Sequence, residues 1–208
     1  MTHPVITISR QYGSGGRLIG EAVAKELGIA YYNRELIDMA AEASGLGKDY
    51  IKAREEKLPT ETLFGTASFG GAFSPFTPYV PYSNIDKMYF TQSDIIRKAA
   101  AEGPCVIIGR CANYVLKDYP GTFSIFVHAR RKSRMTRIIR RYGIEPETAY
   151  SELAKVDKHR ANYYSYYTDC KWGEARSYHT TMDSAFFGIE GAAKVIVDIY
   201  RNFLLNRD

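Results

Sequence analysis

Several features that would define other classes of protein are scarce or missing in this sequence. No apolar run approaches the roughly twenty residues of a membrane-spanning helix, and the apolar stretch at residues 5–8 is too short for the core of a signal peptide. The three cysteines, Cys105, Cys111 and Cys170, are scattered and lack C-x-x-C spacing, which argues against both a disulfide framework and a zinc site. These absences predict a cytoplasmic protein without a membrane partner.

Negative charge is also in short supply, because 28 lysines and arginines stand against 23 acidic residues and leave a net charge of +5. Such a balance indicates an anionic partner, either a phosphorylated small molecule or a nucleic acid, and does not by itself separate the two. The length of 208 residues suits one well-buried domain, with room for a small inserted subdomain.

The most informative stretch is Val-Ile-Thr-Ile-Ser-Arg-Gln-Tyr-Gly-Ser-Gly-Gly-Arg at residues 5–17. It predicts a buried strand, a glycine turn and an opening helix, in which Gly13, Gly15 and Gly16 allow positive φ angles and bring several backbone N–H groups to one point. Apolar residues then recur at helical spacing until Gly28 ends the helix. The positive end of the helix faces the turn, which predicts an anion-binding site; the alternative is a tight turn without a ligand.

The turn lacks two residues of the usual phosphate loop G-x-x-x-x-G-K-[ST], in which lysine reaches the terminal phosphates and the hydroxyl holds Mg²⁺. In one alignment Gly16 takes the lysine position and Arg17 the hydroxyl position; in the other Arg17 replaces lysine and Leu18 the hydroxyl. Arg17 is a candidate for the missing charge, although a planar guanidinium is not equivalent to an ammonium group. Ser14 is either a substitute metal ligand or a residue that shapes the loop.

The rest of the chain predicts an α/β fold with about five parallel strands and helices between them. The further strands are expected at residues 29–32, 104–108, 122–128 and 177–183. The further helices are expected at residues 33–45, 48–58, 84–103 and 129–142, from about Pro146, and at 188–205. The strand at 104–108 is continuously apolar and is followed by Arg110. Since ligands of doubly wound sheets bind beyond the carboxyl ends of the strands, Arg110 is expected beside the glycine turn.

Residues 64–83 interrupt this pattern with three Gly, three Pro, four Phe and two Tyr, and they have no period of 2 or 3.6. They predict a long mobile loop. Their aromatic residues favour a lid, a substrate-covering flap or a surface for a second subunit, and so leave self-association open. The alternative is a poorly ordered excursion.

Arginine is concentrated between residues 130 and 141, where six arginines and one lysine occur without an acidic residue. The arginines that recur every three or four residues, and so share a helix face, are Arg130, Arg134, Arg137 and Arg141. The next helix carries Arg160, and the two helices predict a hairpin that presents arginine to the glycine turn, as a phosphoryl-transfer lid requires. The pattern favours function for Arg137, Arg141 and Arg160. Arg130 and Arg131 are expected on a solvated face.

Four tyrosines, Tyr163, Tyr164, Tyr166 and Tyr167, lie close together on this second predicted helix. They favour a packed helix seam over a base-stacking platform. A nucleic acid is therefore the least favoured of the anionic partners.

The chain also contains four specific motifs: Ile-Ser-Arg-Gln-Tyr-Gly-Ser-Gly-Gly-Arg at 8–17, Ile-Ile-Gly-Arg-Cys-Ala-Asn-Tyr at 107–114, Arg-Tyr-Gly-Ile at 141–144 and Val-Asp-Lys-His-Arg-Ala-Asn-Tyr-Tyr at 156–164. Together with Lys171-Trp172-Gly173 they resemble the cytidylate kinase-like family over nearly the whole chain. The resemblance implies one P-loop kinase-like domain over residues 1–208, with the three-layer P-loop NTPase fold. It also implies a helical monophosphate-binding insertion at about 33–101 and a helical lid at about 130–170.

The same resemblance implies ATP as phosphoryl donor, Mg²⁺, and a pyrimidine monophosphate such as CMP or dCMP as acceptor. It places the donor nucleotide at Gly13, Ser14, Gly15, Gly16 and Arg17. It assigns Arg110 to the acceptor phosphate, Asp157 to the substrate site through the lid motif Asp-x-x-Arg, and the transferring phosphoryl group to Arg137, Arg141 and Arg160. One departure is Cys111, which stands where true cytidylate kinases have Asp.

These observations favour an ATP-dependent kinase of a nucleoside monophosphate or a similar small phosphorylated acceptor. The second hypothesis is a nucleotide-binding sensor or regulatory protein without turnover, because the loop lacks lysine and the metal-binding hydroxyl. Nucleic-acid binding through the arginine-rich helix is the third.

Overall fold

The computed structural model describes residues 3–33, 39 and 84–204. Its strands are β1 (Val5–Arg10), β2 (Ala30–Tyr32), β3 (Cys105–Ile108), β4 (Thr122–His128) and β5 (Thr180–Asp183). Its helices are α1 (Gly16–Leu27), α2 (Asn84–Glu102), α3 (Ala112–Val115), α4 (Arg131–Tyr142), α5 (Pro146–Thr168) and α6 (Ser184–Ile199), with a 3₁₀ turn at Ala175–Ser177 and a π-helical turn at Tyr200–Leu204. The helices expected at 33–45 and 48–58 and the loop expected at 64–83 lie outside the described residues, apart from Asn33 and Met39.

The five described strands form one parallel sheet in the order β2-β3-β1-β4-β5. This confirms the three-layer α/β fold with five parallel strands. Because β1 is the central strand, the turn that follows it lies at the middle of the carboxyl edge of the sheet. Neighbouring strands bind the main chain on either side of this turn. Gly109 N–H, just after β3, donates to Ile8 O, and Gln11 N–H donates to Val127 O of β4, both at 3.0 Å.

Alternation along β1 builds a core on each face of the sheet. Ile6 and Ile8 are fully buried against α1 and α6, whereas Val5 packs with α2 and α3 on the opposite face. Helices therefore cover both faces, as the nearly continuous burial of β1 and β3 requires.

Two helix boundaries among the described residues lie where the sequence predicts them. Gly28 ends α1 in the left-handed conformation at φ 66°, and Pro146 opens α5. The final strand and helix were predicted less well. The strand begins only at Thr180, after a 3₁₀ turn, and α6 begins at Ser184, where the Asp183 side chain accepts a hydrogen bond from Ala185 N–H at 2.8 Å.

Helices α4 and α5 make two sets of helical contacts. Helices α4 and α5 form the predicted hairpin, packed around the buried Ile138 and Leu153. The tyrosines of α5 pack against α2, where Tyr89 stacks on Tyr167 with ring centroids 3.9 Å apart. This packing is the seam that the tyrosine spacing predicted. No helix in the described part of the chain is long and apolar enough to cross a membrane.

Candidate functional site

The turn between β1 and α1 is held in a conformation that only glycine adopts easily. Gly13 and Gly15 have φ angles of 72° and 85°. A side chain at Gly13 would also lie 2.9 Å from the Arg134 carbonyl oxygen and from Ile138 Cγ2, because α4 packs directly on the turn. The first turn of α1 contains no acidic residue, so the positive end of the helix dipole faces this site without a competing carboxylate from that turn. The backbone here suits an anion.

Ser14 is completely buried, and its polar atoms form hydrogen bonds with the loop and with Ser184. Its Oγ accepts a hydrogen bond from Gly16 N–H at 3.4 Å, and its carbonyl accepts one from Ser184 Oγ. Of the two interpretations of Ser14, this geometry favours a residue that shapes the loop over a metal ligand.

Two of the three arginines singled out on the predicted lid reach the turn. Arg137 of α4 donates to Gly13 O at 2.5 Å, and Arg160 of α5 donates to Arg10 O at 3.0 Å. Burial lowers the pKa of both guanidinium groups. For Arg160, Asp157 opposes that decrease and the nearby charge of Arg110 adds to it. Positive charge is therefore concentrated where the loop would receive an anion.

Arg110 follows β3 by two residues, and Gly109 between them donates a hydrogen bond to Ile8 O of β1 at 3.0 Å. Gly109, Arg110 and Cys111 all have positive φ angles, at 76°, 55° and 56°. Two successive non-glycine residues in this region are energetically unfavourable and occur where the surrounding structure imposes them. Cys111 is the N-cap of α3, which follows this turn. Burial raises the pKa of the Cys111 thiol to about 12, so it does not replace the acidic charge of the aspartate found in true cytidylate kinases.

The other predicted site residues differ in their surroundings. Arg17 lies along α1, where its guanidinium pairs with Glu21 at 2.9 Å and its side chain is 43% exposed. Arg141 is exposed near the end of α4. Asp157 contacts the loop backbone, accepting a hydrogen bond from Tyr12 N–H at 2.7 Å.

Sequence reasoning missed Arg10 and Arg134. The side chain of Arg10 passes between two glycines: a Cβ at Gly16 would lie 2.6 Å from Arg10 Cβ, and one at Gly109 would collide with the Arg10 guanidinium. Arg134 donates to Tyr12 O at 3.1 Å. The only local signal for Arg134 was its membership of the spaced arginine set, and for Arg10 its position at the carboxyl end of a buried strand.

The described residues fit a phosphate group better than they fit a protein-bound metal. The glycines let Ile138, Ile189 and Arg10 pack closely against the loop, and arginines from β1, α4 and α5 lie around it. By contrast, the described residues contain no group of three or more His, Cys, Asp or Glu side chains suited to a metal ion. Since Mg²⁺ in such sites keeps several waters and binds largely through substrate phosphates, we assign it no protein ligand.

The model of the cytidylate kinase-like family matches residues 5–185, which include the loop, the Arg110 turn and the α4–α5 hairpin. The chain belongs to the cytidylate kinase-like family. Membership of this family supports phosphoryl transfer in general as its chemistry. No curated protein matches the chain.

Solved structures share the fold. An uncharacterized protein from Eubacterium ventriosum is 24% identical, with 99% of this chain and 100% of that one covered and a TM-score of 0.67. Shikimate kinase from Bacteroides thetaiotaomicron is 12% identical over 95% of this chain and 98% of its own, with a TM-score of 0.53. A gluconokinase from Sinorhizobium meliloti is 16% identical over 96% and 97%, with a TM-score of 0.50. At these identities the likeness shows a common P-loop kinase fold alone.

Proposed function

We propose that this member of the cytidylate kinase-like family transfers the γ-phosphoryl group of ATP to a nucleoside monophosphate or a similar small phosphorylated acceptor, with CMP and dCMP as the leading candidates. The observation that carries the proposal is the glycine loop at the start of α1, approached by arginines from separate elements. Phosphoryl transfer needs little covalent help from protein groups, and positioning with charge stabilisation supplies most of the catalysis.

In this scheme the loop from Gly13 to Gly16 holds the donor phosphates at the positive end of α1. Arg137 and Arg160 stabilise the negative charge of the transferring group, because guanidinium forks bind phosphate oxygens bidentately. An oxygen of the acceptor phosphate attacks the γ-phosphorus, the bond from that phosphorus to the β-phosphate oxygen breaks, and ADP leaves. Mg²⁺ bound to the ATP phosphates would neutralise part of their charge.

The acceptor would bind beside the loop at the ends of β1 and β3. Arg110 follows β3, and the Arg10 guanidinium lies over Gly109 in the same crevice. A group of arginines at the carboxyl ends of neighbouring strands favours an acceptor with a phosphate over a neutral one. The insertion expected at 33–101 would supply the remaining acceptor contacts.

The first experiment measures ADP release with ATP, Mg²⁺ and a panel of nucleoside monophosphates, alongside ATP binding by calorimetry. Shikimate and gluconate belong in the panel, because two proteins of similar fold are named for them. Release that depends on one nucleoside monophosphate is the expected result. Release that depends only on a non-phosphorylated compound would contradict the proposed acceptor class.

A nucleotide-binding sensor without turnover is the second candidate. It is favoured by the absence of the loop lysine, together with the internal hydrogen bond that engages Ser14 Oγ. Tight ATP binding without ADP release across the whole panel would select it.

A further inference from the structure

The peptide of Tyr12, one residue before the first loop glycine, is held at both of its polar groups by a pair of charged side chains. Tyr12 N–H donates to Asp157 Oδ1 at 2.7 Å, and Tyr12 O accepts from Arg134 Nη1 at 3.1 Å. Arg134 Nη1 also donates to Asp157 Oδ2 at 2.5 Å. The three residues form a closed set of hydrogen bonds that joins the loop to α4 and α5. We call it the Tyr12 clamp.

Each helix adds a second contact one turn further along. Arg137 follows Arg134 on α4 and donates to Gly13 O, whereas Arg160 follows Asp157 on α5 and donates to Arg10 O. Residues three apart on a helix lie on the same face. The α4–α5 hairpin therefore binds the main chain of Arg10, Tyr12 and Gly13, and the Tyr12 clamp is the middle part of this contact.

The clamp is largely shielded from water, since the side chains of Arg134 and Asp157 are only 11% and 17% exposed. Removing one member of a shielded ion pair leaves an uncompensated charge and is far more costly than breaking an exposed pair. Both carboxylate oxygens of Asp157 are already engaged, by the loop and by Arg134. This geometry directs Asp157 toward the donor loop.

We propose that Asp157 and Arg134 are positioning residues that fix the phosphate loop in its anion-binding conformation, and that Asp157 acts on the donor nucleotide through the loop instead of touching the acceptor. The inference rests on the proposed function for its donor and acceptor sites. It reassigns Asp157, which the family resemblance places in the substrate site.

The test uses the full-length chain with Asp157→Asn, an isosteric change that retains an oxygen for Tyr12 N–H but places an amide opposite Arg134. The Kd for ATP, measured by calorimetry without acceptor, should rise about tenfold to a hundredfold, which is the range expected for loss of a hydrogen bond to a charged group. The KM for ATP should rise similarly while the KM for CMP stays within about twofold, because the loop binds only the donor.

The matched control is Glu147→Gln, the same carboxylate-to-amide change at an exposed position of α5. It should leave the Kd for ATP unchanged. Arg134→Met should reproduce the Asp157→Asn effect, Arg134→Lys should restore part of it, and the double variant should be no worse than the worse single one, because both act through one network.

Hydrogen exchange supplies a readout that needs no turnover, and exchange in the rest of the chain shows whether each variant is folded. Peptides covering residues 10–16 should exchange faster in Asp157→Asn than in Glu147→Gln. A selective rise in the KM for CMP with unchanged ATP binding would overturn the proposal and return Asp157 to the acceptor site. Unchanged ATP binding with unchanged exchange at the loop would also overturn it.

The proposed function fails by a different result. If wild-type protein binds ATP but transfers no phosphoryl group, the positioning role is still decided by the Kd for ATP and by exchange at the loop. If wild-type protein binds no ATP, the loop is not an ATP site and the proposal falls with that role.

Discussion

Arg137 and Arg17 are both candidates for the charge that lysine supplies in the usual phosphate loop, and their surroundings distinguish them. Arg137 comes from α4, is partly buried and binds the Gly13 carbonyl. Arg17 belongs to the loop helix but lies beside Glu21, half in water. Charge acts more strongly where water is excluded. The partly buried Arg137 is therefore a better candidate than Arg17 for the role of the missing lysine.

The variants Arg137→Ala and Arg17→Ala should therefore differ in kcat/KM. We expect Arg137→Ala to lower it by about a hundredfold to a thousandfold, as the loss of a buried transition-state donor does. Arg17→Ala should lower it by less than about tenfold, since an exposed ion pair contributes little. Steady-state kinetics with both variants checks this. An equal or larger loss for Arg17→Ala would return the lysine role to Arg17, as the sequence alone suggested.

At the scale of helices, the α2–α5 contact depends on stacked tyrosines. Tyr89 and Tyr167 are parallel within 8°, and the Tyr167 hydroxyl reaches Asp86 Oδ1 at 3.3 Å. The stack joins the helix that precedes β3 to the helix that carries Asp157 and Arg160. Loss of the stack should thus weaken the contact between α5 and α2.

A double-mutant cycle with Tyr89→Leu and Tyr167→Leu tests this contact. The two substitutions should couple by about 0.5–1.5 kcal/mol in the free energy of unfolding, the range for aromatic pairs. The control cycle pairs Tyr89→Leu with Tyr150→Leu, an exposed position about 25 Å along α5 from Tyr167 by helix rise. That cycle should be additive within about 0.5 kcal/mol, and equal coupling in both cycles would count against the stack.

Local sequence signals predicted most of these elements. Gly28 and Pro146 marked helix boundaries correctly, and the strand at Thr122–His128 agrees at both ends. The last strand and helix were misjudged for tertiary reasons. Residues 177–179 have strand-forming composition, yet His179 is tied to Ser124 by a pair of hydrogen bonds before the β5 ladder begins. Gly188, the predicted start of the last helix, is a non-helical residue within α6, with φ 72°.

Candidate site residues could be predicted where they belong to a sequence motif. They could not be predicted where only a contact between distant parts of the chain brings them to the loop. The glycine loop and Arg110 could be located because strand ends meet at one edge of a parallel sheet. The Tyr12 clamp joins residues 145 positions apart in sequence, Tyr12 and Asp157. No local period encodes such a contact. Spacing alone likewise did not separate Arg137, which reaches the loop, from Arg141, which is exposed.

At the scale of the whole molecule, two buried thiols should make the free energy of unfolding fall as the pH rises in the alkaline range. Burial raises the pKa of Cys105 and of Cys111 from 9.0 to about 12. The folded protein holds these protons more tightly than the unfolded chain, so their contribution to stability is complete below about pH 9 and is lost as the pH rises towards 12.

Urea unfolding at a series of pH values from about 8 to 11 should show a falling free energy of unfolding. Buried tyrosines, whose pKa values burial also raises, add to the decline in wild-type protein. The variant Cys105→Ala/Cys111→Ala should therefore decline less steeply. Identical slopes for the two proteins would show that the thiols are not the source.

The chain has one tryptophan, and its location gives the molecule an internal optical reporter. Trp172 follows the last turn of α5 and meets the ring of Phe126 in β4 edge-on, with centroids 5.2 Å apart. Indole emission responds to the polarity and packing of its immediate surroundings. Because the same helix carries Asp157 and Arg160, any rearrangement of α5 against the sheet would change the emission spectrum without a label or a substitution. Ligand titrations can therefore be followed in the unmodified protein by the emission of Trp172, four residues beyond the end of α5.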